Sequence, residues 1–322
     1  MSKKSALITG ITGFVGSYLA EELLNNNFEV YGSYLPDESF ENIAHLKSLN
    51  LSKLDILNSS RCKIVIKKIK PDYIFHLAAF SSVGQSLKFE KECYKINVTG
   101  TSNIINGALE LEKLKKFIFI SSSEVYGLTA NKFKSLKETH PVSPNSPYAV
   151  SKLIAEYACF ANYKMFKFPA VVARSFNHTG PRQNINFAIP SFSKQIAEIE
   201  AGFSNPIIKV GDLSNFRDIS DVRDIVKGYR KLALKGKNGE IYNLCSGKSQ
   251  SLKNLLDILL SYSNTKISIK KDKSRFRKSD IPYLKGSKAK AVKELSYTSR
   301  YNLKTTLKDS LNYWRTKIAD NI

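Results

Sequence analysis

The sequence predicts an α/β protein with a doubly wound parallel sheet and a smaller, interleaved C-terminal lobe. Two patterns predict this class. Short apolar strands alternate with amphipathic helices through the first half of the chain, and a glycine-rich turn follows the first strand. Parallel strands need a long crossover connection, usually a helix, so this alternation is typical of a parallel sheet. After residue 176 the alternation becomes irregular.

The elements of the sheet follow from runs of apolar residues and their periodicity. Strands are predicted at 5–9, 28–35, 71–79, 115–123 and 168–176, and helices at about 13–25, 58–69, 87–111 and 147–165. Part of 207–244 is expected to return to the main sheet. We expect a dinucleotide-binding domain over 1–175 and a substrate-binding lobe over 176–322.

Composition excludes several classes of protein. The net charge is +22, but the excess comes from 40 lysines spread along the chain, against 10 arginines. Dispersed lysines usually form a solvated surface, so no nucleic-acid partner is expected. Four widely spaced cysteines indicate free thiols in a reducing cytoplasm and no metal site. No apolar run is long enough to cross a membrane, and no membrane partner is expected.

The stretch "ALITGITGFVGSYLAEELL" places Gly10, Gly13 and Gly16 between the first strand and the first helix. A helix N-terminus offers unpaired N–H groups, and glycines let a diphosphate approach them closely. The stretch therefore predicts a dinucleotide site. The alternative is a tight turn with no ligand.

The end of the second strand, "VYGSYLPDE", has no acid at the usual position for a ribose 2′-hydroxyl and no arginine for a 2′-phosphate. Asp37 can reach the site or remain a solvated loop residue, so NAD and NADP stay open. Asp55 is placed for the adenine edge, with a helix N-cap as the alternative.

A second group of residues suggests acid–base chemistry. Tyr148 and Lys152 are four residues apart and share a helix face, where the ammonium would lower the Tyr148 pKa and make it a general base. Ser122, Ser123 and Glu124 follow an apolar strand, at the sheet edge where ligands bind. The alternatives are an incidental surface pair and a polar strand end that caps a turn.

The motifs "TGITGFVG", "LAAFSSVGQS", "NVTGT", "SSSEVYG" and "YAVSK" resemble extended short-chain dehydrogenase/reductases that act on nucleotide sugars. C-terminal stretches such as "RSFNHTGPRQ" and "NFRDISDVRDIV" are similar to GDP-mannose 4,6-dehydratases and GDP-4-keto-6-deoxymannose reductases. The resemblance implies a Rossmann domain, tightly bound NAD or NADP, and a GDP-sugar between the lobes. It also implies a homodimer formed by the helices near 87–111 and 147–165, with a tetramer as the alternative.

The resemblance also assigns residues. It implies a catalytic set of Ser122, Ser123, Glu124, Tyr148 and Lys152. It implies cofactor binding by Gly10, Gly13, Phe14, Val15, Gly16, Asp55, Ile56, Leu77, Ala78, Ala79, Tyr148 and Lys152. It implies substrate binding by Ser82, Val83, Asn177, Lys194, Arg217 and Arg277, each cation having an ordinary salt bridge as its alternative.

Two departures from the family pattern refine these expectations. Ser123 stands where dTDP-glucose dehydratases place an Asp, which disfavours that narrower family. The arginine-rich stretch of NADP-using mannose dehydratases is replaced by "SYLPDESFEN". That replacement favours NAD over NADP and weakens the expectation of a tetramer.

The expected activity is a nucleotide-sugar 4,6-dehydratase on a GDP-hexose of the mannose or N-acetylglucosamine type, passing through transient oxidation at C4. An NAD(P)H-dependent GDP-4-keto-6-deoxymannose reductase is the main alternative, and a 4-epimerase or 4-oxidase is less favoured. A basic, non-catalytic binding protein with the same fold is the alternative from another class.

Overall fold

The computed structural model describes residues 3–276 and 281–320. The strands are β1 (Lys4–Thr9), β2 (Phe28–Tyr34), β3 (Leu49–Lys53), β4 (Tyr73–His76), β5 (Lys116–Ser122), β6 (Ala170–Ser175), β7 (Asn177–Thr179), β8 (Ile207–Val210), β9 (Phe216–Asp221), β10 (Ile241–Leu244), β11 (Ser249–Ser251), β12 (Ser268–Lys271) and β13 (Tyr283–Leu284). The helices are α1 (Phe14–Leu24), α2 (Ser59–Ile69), α3 (Val83–Ser86), α4 (Glu90–Tyr94), α5 (Thr101–Ala108), α6 (Pro147–Phe166), α7 (Ala188–Glu200), α8 (Val222–Lys235), α9 (Leu252–Leu260), α10 (Ala289–Leu295) and α11 (Leu303–Ala319).

The main sheet has seven strands in the order β10-β6-β5-β4-β1-β2-β3, all parallel. The chain runs outward from β1 to β3 and then crosses to β4 on the other side of β1. This reversal creates a crevice at the carboxyl ends of β1 and β4, where open α/β sheets bind ligands. The predicted doubly wound parallel fold is confirmed, and β10 lies within the range expected to return to the sheet.

Helices cover both faces of this sheet because its strands are apolar on both sides. On one face α1 and α8 pack through Leu19, Leu23, Val226 and Tyr229, all buried. On the other face α2, α5 and α6 contribute side chains such as Val65, Ile104 and Ala155.

The predicted helix at 87–111 begins later and is not uniform. Helices α4 and α5 are joined by a wider, π-helical turn at Lys95–Gly100. Asn97 in that turn donates from Nδ2 to Ser151 Oγ (2.9 Å) and accepts at Oδ1 from Phe80 N (2.8 Å). These tertiary hydrogen bonds hold the turn against α6, and apolar periodicity does not reveal them.

The C-terminal lobe packs α7, α9 and α11 around buried leucines and isoleucines, including Ile196, Leu256 and Leu311. A small sheet of β11, β9 and β13, with β7 beside β9, connects this lobe to the carboxyl edge of the main sheet. The edge of the main sheet and α7 therefore form two walls of one cleft.

All four cysteines are free thiols and are buried. Within residues 3–276 and 281–320, no cluster of His, Cys, Asp and Glu side chains is suited to hold a metal ion. In the same described ranges, no helix has both the length and the apolar character needed to cross a bilayer.

Candidate functional site

The glycine turn between β1 and α1 forms the floor of a cavity of about 720 Å³. Gly10 has φ +73°, a conformation that favours glycine, and a Cβ on Gly16 would lie 2.2 Å from the Gly10 carbonyl oxygen. No side chain caps the N-terminus of α1 at Gly13. The turn therefore leaves backbone N–H groups open to a diphosphate, and the site fits a dinucleotide.

All twelve predicted cofactor-binding residues line this one cavity. They are Gly10, Gly13, Phe14, Val15, Gly16, Asp55, Ile56, Leu77, Ala78, Ala79, Tyr148 and Lys152. The segment after β4 approaches the glycine turn closely, because a Cβ on Gly10 would lie 3.1 Å from the Ala78 Cα. The predicted strand at 71–79 ends at His76, so that the following three residues turn out of the sheet and face the cavity.

Of the two interpretations of Asp37, the solvated loop residue agrees with the structure, because Asp37 is exposed and does not line the cavity. The acid that lines the cavity after β2 is Glu38, which was not predicted. Glu38 Oε2 accepts from Thr12 Oγ1 (2.6 Å) and from Leu35 N (3.0 Å), which folds the loop back over the glycine turn. The two adjacent acids in "SYLPDES" were the sequence signal for an acid near the cavity. Which of the two faces the cavity depends on the turn of the loop, and sequence spacing does not predict that turn.

Asp55 also lines this cavity, and its helix N-cap alternative is wrong. Asn58 caps α2 instead, by accepting from Arg61 N at 2.9 Å. The Asp55 carboxylate accepts from Leu57 N at 2.8 Å. This bond holds the carboxylate just after the carboxyl end of β3, in the cavity wall.

The candidate catalytic residues line the same cavity. Ser122 ends β5, Ser123 and Glu124 follow it, and Tyr148 and Lys152 stand on the first turns of α6. Helix α6 starts with Ser146 accepting from Ala149 N and with Pro147 in its first turn, a favoured combination. The structure thus brings together the two sequence motifs predicted to form one catalytic set.

The capping alternative for the serines is also present. Ser122 Oγ accepts from Glu124 N at 3.2 Å and caps the 3₁₀ segment Ser123–Lys132. The same cap fixes the backbone direction of Glu124, so that its side chain is half-buried at the cavity wall.

The expected lowering of the Tyr148 pKa by Lys152 is wrong in this structure. Burial raises the pKa of Tyr148, a hydrogen bond from Ser122 opposes this, and the charge of Glu124 raises it further. Lys152 Nζ donates to the Ile120 carbonyl oxygen at 2.8 Å and lies 5.1 Å from the centre of the Phe119 ring. Sequence spacing placed both groups on one face of α6 but did not predict how deeply each is buried.

Burial also lowers the pKa of Lys152, to about 8, and this has a measurable consequence. Above that pH the folded protein loses the proton while the unfolded chain retains it up to its ordinary pKa of 10.5. The contribution of Lys152 to stability therefore rises with pH between these values, by at most about 1.4 kcal/mol per pH unit.

Comparing wild type with Lys152→Met isolates this contribution, because other titrating groups cancel. We expect the wild-type free energy of unfolding to rise relative to that of the variant when urea denaturation is repeated from about pH 8 to about pH 10. A difference that stays constant with pH would show that Lys152 keeps its ordinary pKa.

A second cavity of about 930 Å³ adjoins the first and extends toward α7. The two cavities share the lining residues Asn177, His178, Gln183 and Phe187. Of the predicted substrate residues, Ser82, Asn177, Lys194 and Arg217 line this second cavity and Val83 lines the first. Arg277 lies outside the described residues.

Three cationic side chains of the second cavity have protein partners. Lys194 pairs with Glu198 at 3.3 Å, as in the salt-bridge alternative, and Arg217 Nη1 donates to the Ile281 carbonyl oxygen at 2.6 Å. Arg275, which was not predicted, also lines the cavity and donates to Ser191 Oγ at 3.1 Å. The only signal for Arg275 was its place in the basic segment "KSRFRKSD".

The sequence matches a known family of enzymes. The family model of GDP-mannose 4,6 dehydratase matches residues 7–310. GDP-6-deoxy-D-mannose reductase of Pseudomonas aeruginosa is 29% identical over 313 residues, covering 97% of this chain and 98% of the relative. GDP-mannose 4,6-dehydratase of Vibrio cholerae is 31% identical over 268 residues, covering 79% and 71% of the two chains.

The fold is similar to those of solved structures. RMD from Pseudomonas aeruginosa, complexed with NADPH, superposes with a TM-score of 0.84 at 28% identity, covering 98% of this chain and all of that one. An epimerase from Methanothermobacter thermautotrophicus gives a TM-score of 0.89 at 27% identity, covering 99% and 94% of the two chains. Because the family model spans nearly the whole chain, the protein belongs to the GDP-mannose 4,6-dehydratase family of nucleotide-sugar enzymes.

Proposed function

We propose that this protein is a GDP-hexose 4,6-dehydratase, which removes one water to give a GDP-4-keto-6-deoxy sugar. The observation that carries the proposal is the placement of Glu124 in the same cavity wall as Tyr148, close enough for its charge to raise the Tyr148 pKa. Oxidation at C4 alone needs one proton acceptor. A second acid–base group beside the first supports elimination as a further step.

The proposed steps use this chain's side chains as follows. Tyr148 accepts the 4-hydroxyl proton while the hydride leaves C4, and the hydrogen bond from Ser122 favours the phenolate. The ketone at C4 then acidifies C5, whose proton passes to Glu124. Water leaves C6 with a proton supplied by Glu124 or Ser123. A hydride is then returned to C6 while C5 takes up a proton from solvent, and Tyr148 releases its proton to solvent. When bound, NAD(P) would supply the hydride acceptor and donor, so that no cofactor would be consumed.

The proposed substrate is a GDP-sugar lying across both cavities. Lys194, Arg217 and Arg275 supply the second cavity with cationic groups that can bind a diphosphate. Lys194 and Arg275 would exchange their carboxylate partners, Glu198 and Asp272, for it. The shared residues, Asn177 among them, join this lining to the catalytic end of the first cavity. The named relatives act on GDP-mannose or its deoxy derivative, which supports guanosine as the nucleoside.

A GDP-4-keto-6-deoxymannose reductase is the second candidate, and one observation favours it. The Pseudomonas aeruginosa reductase aligns over 98% of its own length, whereas the Vibrio cholerae dehydratase aligns over 71%. The reductase would use Tyr148 as a proton donor to the new C4 hydroxyl and would leave Glu124 without a chemical step.

Incubation of the purified protein with a panel of GDP-, UDP- and dTDP-hexoses separates these candidates. We expect mass spectrometry to show loss of one water from a GDP-hexose with no net formation or use of NAD(P)H. Stoichiometric use of NAD(P)H with a 4-keto sugar, and no water loss from any hexose, would assign the protein to the reductases.

We further propose that Glu38 selects NAD over NADP. Its carboxylate lines the adenosine end of the cavity, is held by Thr12 and Leu35, and would repel a 2′-phosphate while accepting from a 2′-hydroxyl. Replacing Glu38 by Gln is expected to weaken NAD binding and strengthen NADP binding. The affinity ratio should change by about fivefold or more, since a like-charge contact costs about 1 kcal/mol or more.

Isothermal titration with both cofactors measures this ratio. Asp37→Gln, a neighbouring acid outside the lining of the cavity, is the matched control and should leave the ratio unchanged. An unchanged ratio in Glu38→Gln would show that another group discriminates between the 2′-hydroxyl of NAD and the 2′-phosphate of NADP.

A further inference from the structure

A buried ion pair lies directly behind the candidate catalytic residues. Glu156 stands on α6 one turn after Lys152 and is fully buried, and Arg174 on β6 is 4% exposed. Arg174 binds the carboxylate in a bidentate manner, from Nε to Oε1 at 3.0 Å and from Nη2 to Oε2 at 2.7 Å. Neither residue is in the set predicted from the sequence, and neither lines the cofactor cavity.

The pair also contacts the strand that carries the serines. Ser121 Oγ donates to Glu156 Oε1 at 2.5 Å, and Ser121 is the register partner of Arg174 across β5 and β6. On its other side the Arg174 guanidinium lies 4.8 Å from the centre of the Tyr126 ring. Tyr126 belongs to the 3₁₀ segment that begins at Ser123.

These contacts connect the two halves of the candidate catalytic set. Helix α6 supplies Tyr148 and Lys152, and the end of β5 with its 3₁₀ segment supplies the serines and Glu124. We propose that Glu156 and Arg174 are positioning residues, which hold α6 against the end of β5 so that both halves face one substrate. This inference rests on the proposed function only in taking those residues as catalytic, and it holds equally for dehydration and for reduction.

Stability alone gives little reason to keep such a pair. Two buried charges lose their hydration, and replacing both with well-packed apolar side chains is often neutral or stabilising. Removing one partner is strongly destabilising, because the other charge then remains buried and unpaired. A positioning role accounts for two charged side chains at a place where apolar ones would pack.

The Glu156 charge has a second effect, on Lys152. Several groups face the Lys152 ammonium: Glu156 and Cys159 on α6, Cys93 on α4, and His76 on β4, whose burial keeps it neutral. Burial lowers the Lys152 pKa, while Glu156 raises it by a favourable charge interaction. The carboxylate therefore helps Lys152 to stay protonated near neutral pH.

The test compares the single variant Glu156→Leu with the double variant Glu156→Leu/Arg174→Met. The single variant should lose stability strongly, and the double variant should regain a melting temperature close to that of the wild type. For the double variant we expect kcat to fall about 10–100-fold with an almost unchanged KM, because a small misplacement of reacting groups has this scale of effect. The alkaline limb of its pH–rate profile should also move to lower pH.

Wild-type kcat in the stable double variant, with an unmoved pH profile, would overturn the positioning role and leave the pair purely structural. Activity is measured with whichever GDP-sugar the wild type dehydrates or reduces, so failure of dehydration does not count against the pair.

A readout independent of turnover is the pH dependence of Lys152 acetylation, followed by peptide mapping. Its midpoint should fall in the double variant, and an unchanged midpoint would contradict the proposal.

Two further variants complete the test. Ser121→Ala removes a single hydrogen bond to Glu156 and keeps both charges, so it should fold even if the double variant does not. It is expected to lower kcat about 2–10-fold at constant KM, and an unchanged kcat would contradict the proposal. The matched control is Glu200→Leu/Arg315→Met, which removes the bidentate pair between α7 and α11 and should keep wild-type kcat.

Discussion

Tyr148→Phe is expected to lower turnover by about 10²–10⁴-fold, the usual contribution of a positioned acid–base group. The ring stays in place, since Tyr148 is 9% exposed and packs within the start of α6, and only the hydroxyl is lost. Without it nothing accepts the 4-hydroxyl proton as the C4 hydride leaves. Oxidation is blocked at the first step, so the variant should form no reduced cofactor when mixed with substrate.

Single-turnover absorbance of the nicotinamide measures this outcome. Tyr157→Phe is the matched control, because it makes the same change on the same helix at an exposed position. The control should retain wild-type turnover. If Tyr148→Phe kept wild-type turnover, Tyr148 would not be the base, and its burial beside Ser122 would be structural.

Glu124→Gln is expected to reduce water loss by about 10²–10⁴-fold through a different step. The amide is nearly isosteric and cannot accept the C5 proton, whereas Tyr148 and Lys152 remain intact. Oxidation at C4 should therefore proceed and then stop. In a single turnover the variant should accumulate reduced cofactor and a 4-keto hexose that still carries its 6-hydroxyl.

This pattern distinguishes elimination from plain redox chemistry. Tyr148→Phe accumulates no reduced cofactor, while Glu124→Gln accumulates it without losing water. Wild-type dehydration by Glu124→Gln would show that the side chain serves only the 3₁₀ segment that Ser122 caps.

Much of the candidate cofactor site could be predicted from the sequence, because the residues that form it lie in short, continuous stretches of the chain. The glycine spacing Gly10, Gly13 and Gly16 implies a turn between strand and helix, and the structure shows that a Cβ at Gly16 would meet the Gly10 carbonyl. Polar residues at strand ends fall at one edge of a parallel sheet by topology. The glycines and the polar strand-end residues of the cavity follow from these two rules, whereas apolar lining residues such as Ile56, Leu77 and Ala78 were assigned by the resemblance to the family.

The remaining features depend on tertiary structure. Whether Lys152 lowers the Tyr148 pKa depends on the burial of both groups and on the Ile120 carbonyl that Lys152 meets, neither of which spacing encodes. Glu38 reaches the cavity only because Thr12 and Leu35 hold its carboxylate. Arg174 looked like one polar residue in an apolar strand, and its partner Glu156 lies 18 residues away on a different element.

Tracing one hydrogen atom tests the proposed dehydration most directly. A GDP-hexose that loses water in the substrate panel is prepared with deuterium at C4 and incubated with the protein in ordinary water, and the product is examined by mass spectrometry and NMR. Internal transfer predicts a 4-keto-6-deoxy sugar that carries the deuterium at C6, with no net change in NAD(P)H. A dehydrated product without deuterium at C6, or deuterium recovered in free cofactor, would contradict an elimination in which the hydride removed from C4 returns to C6.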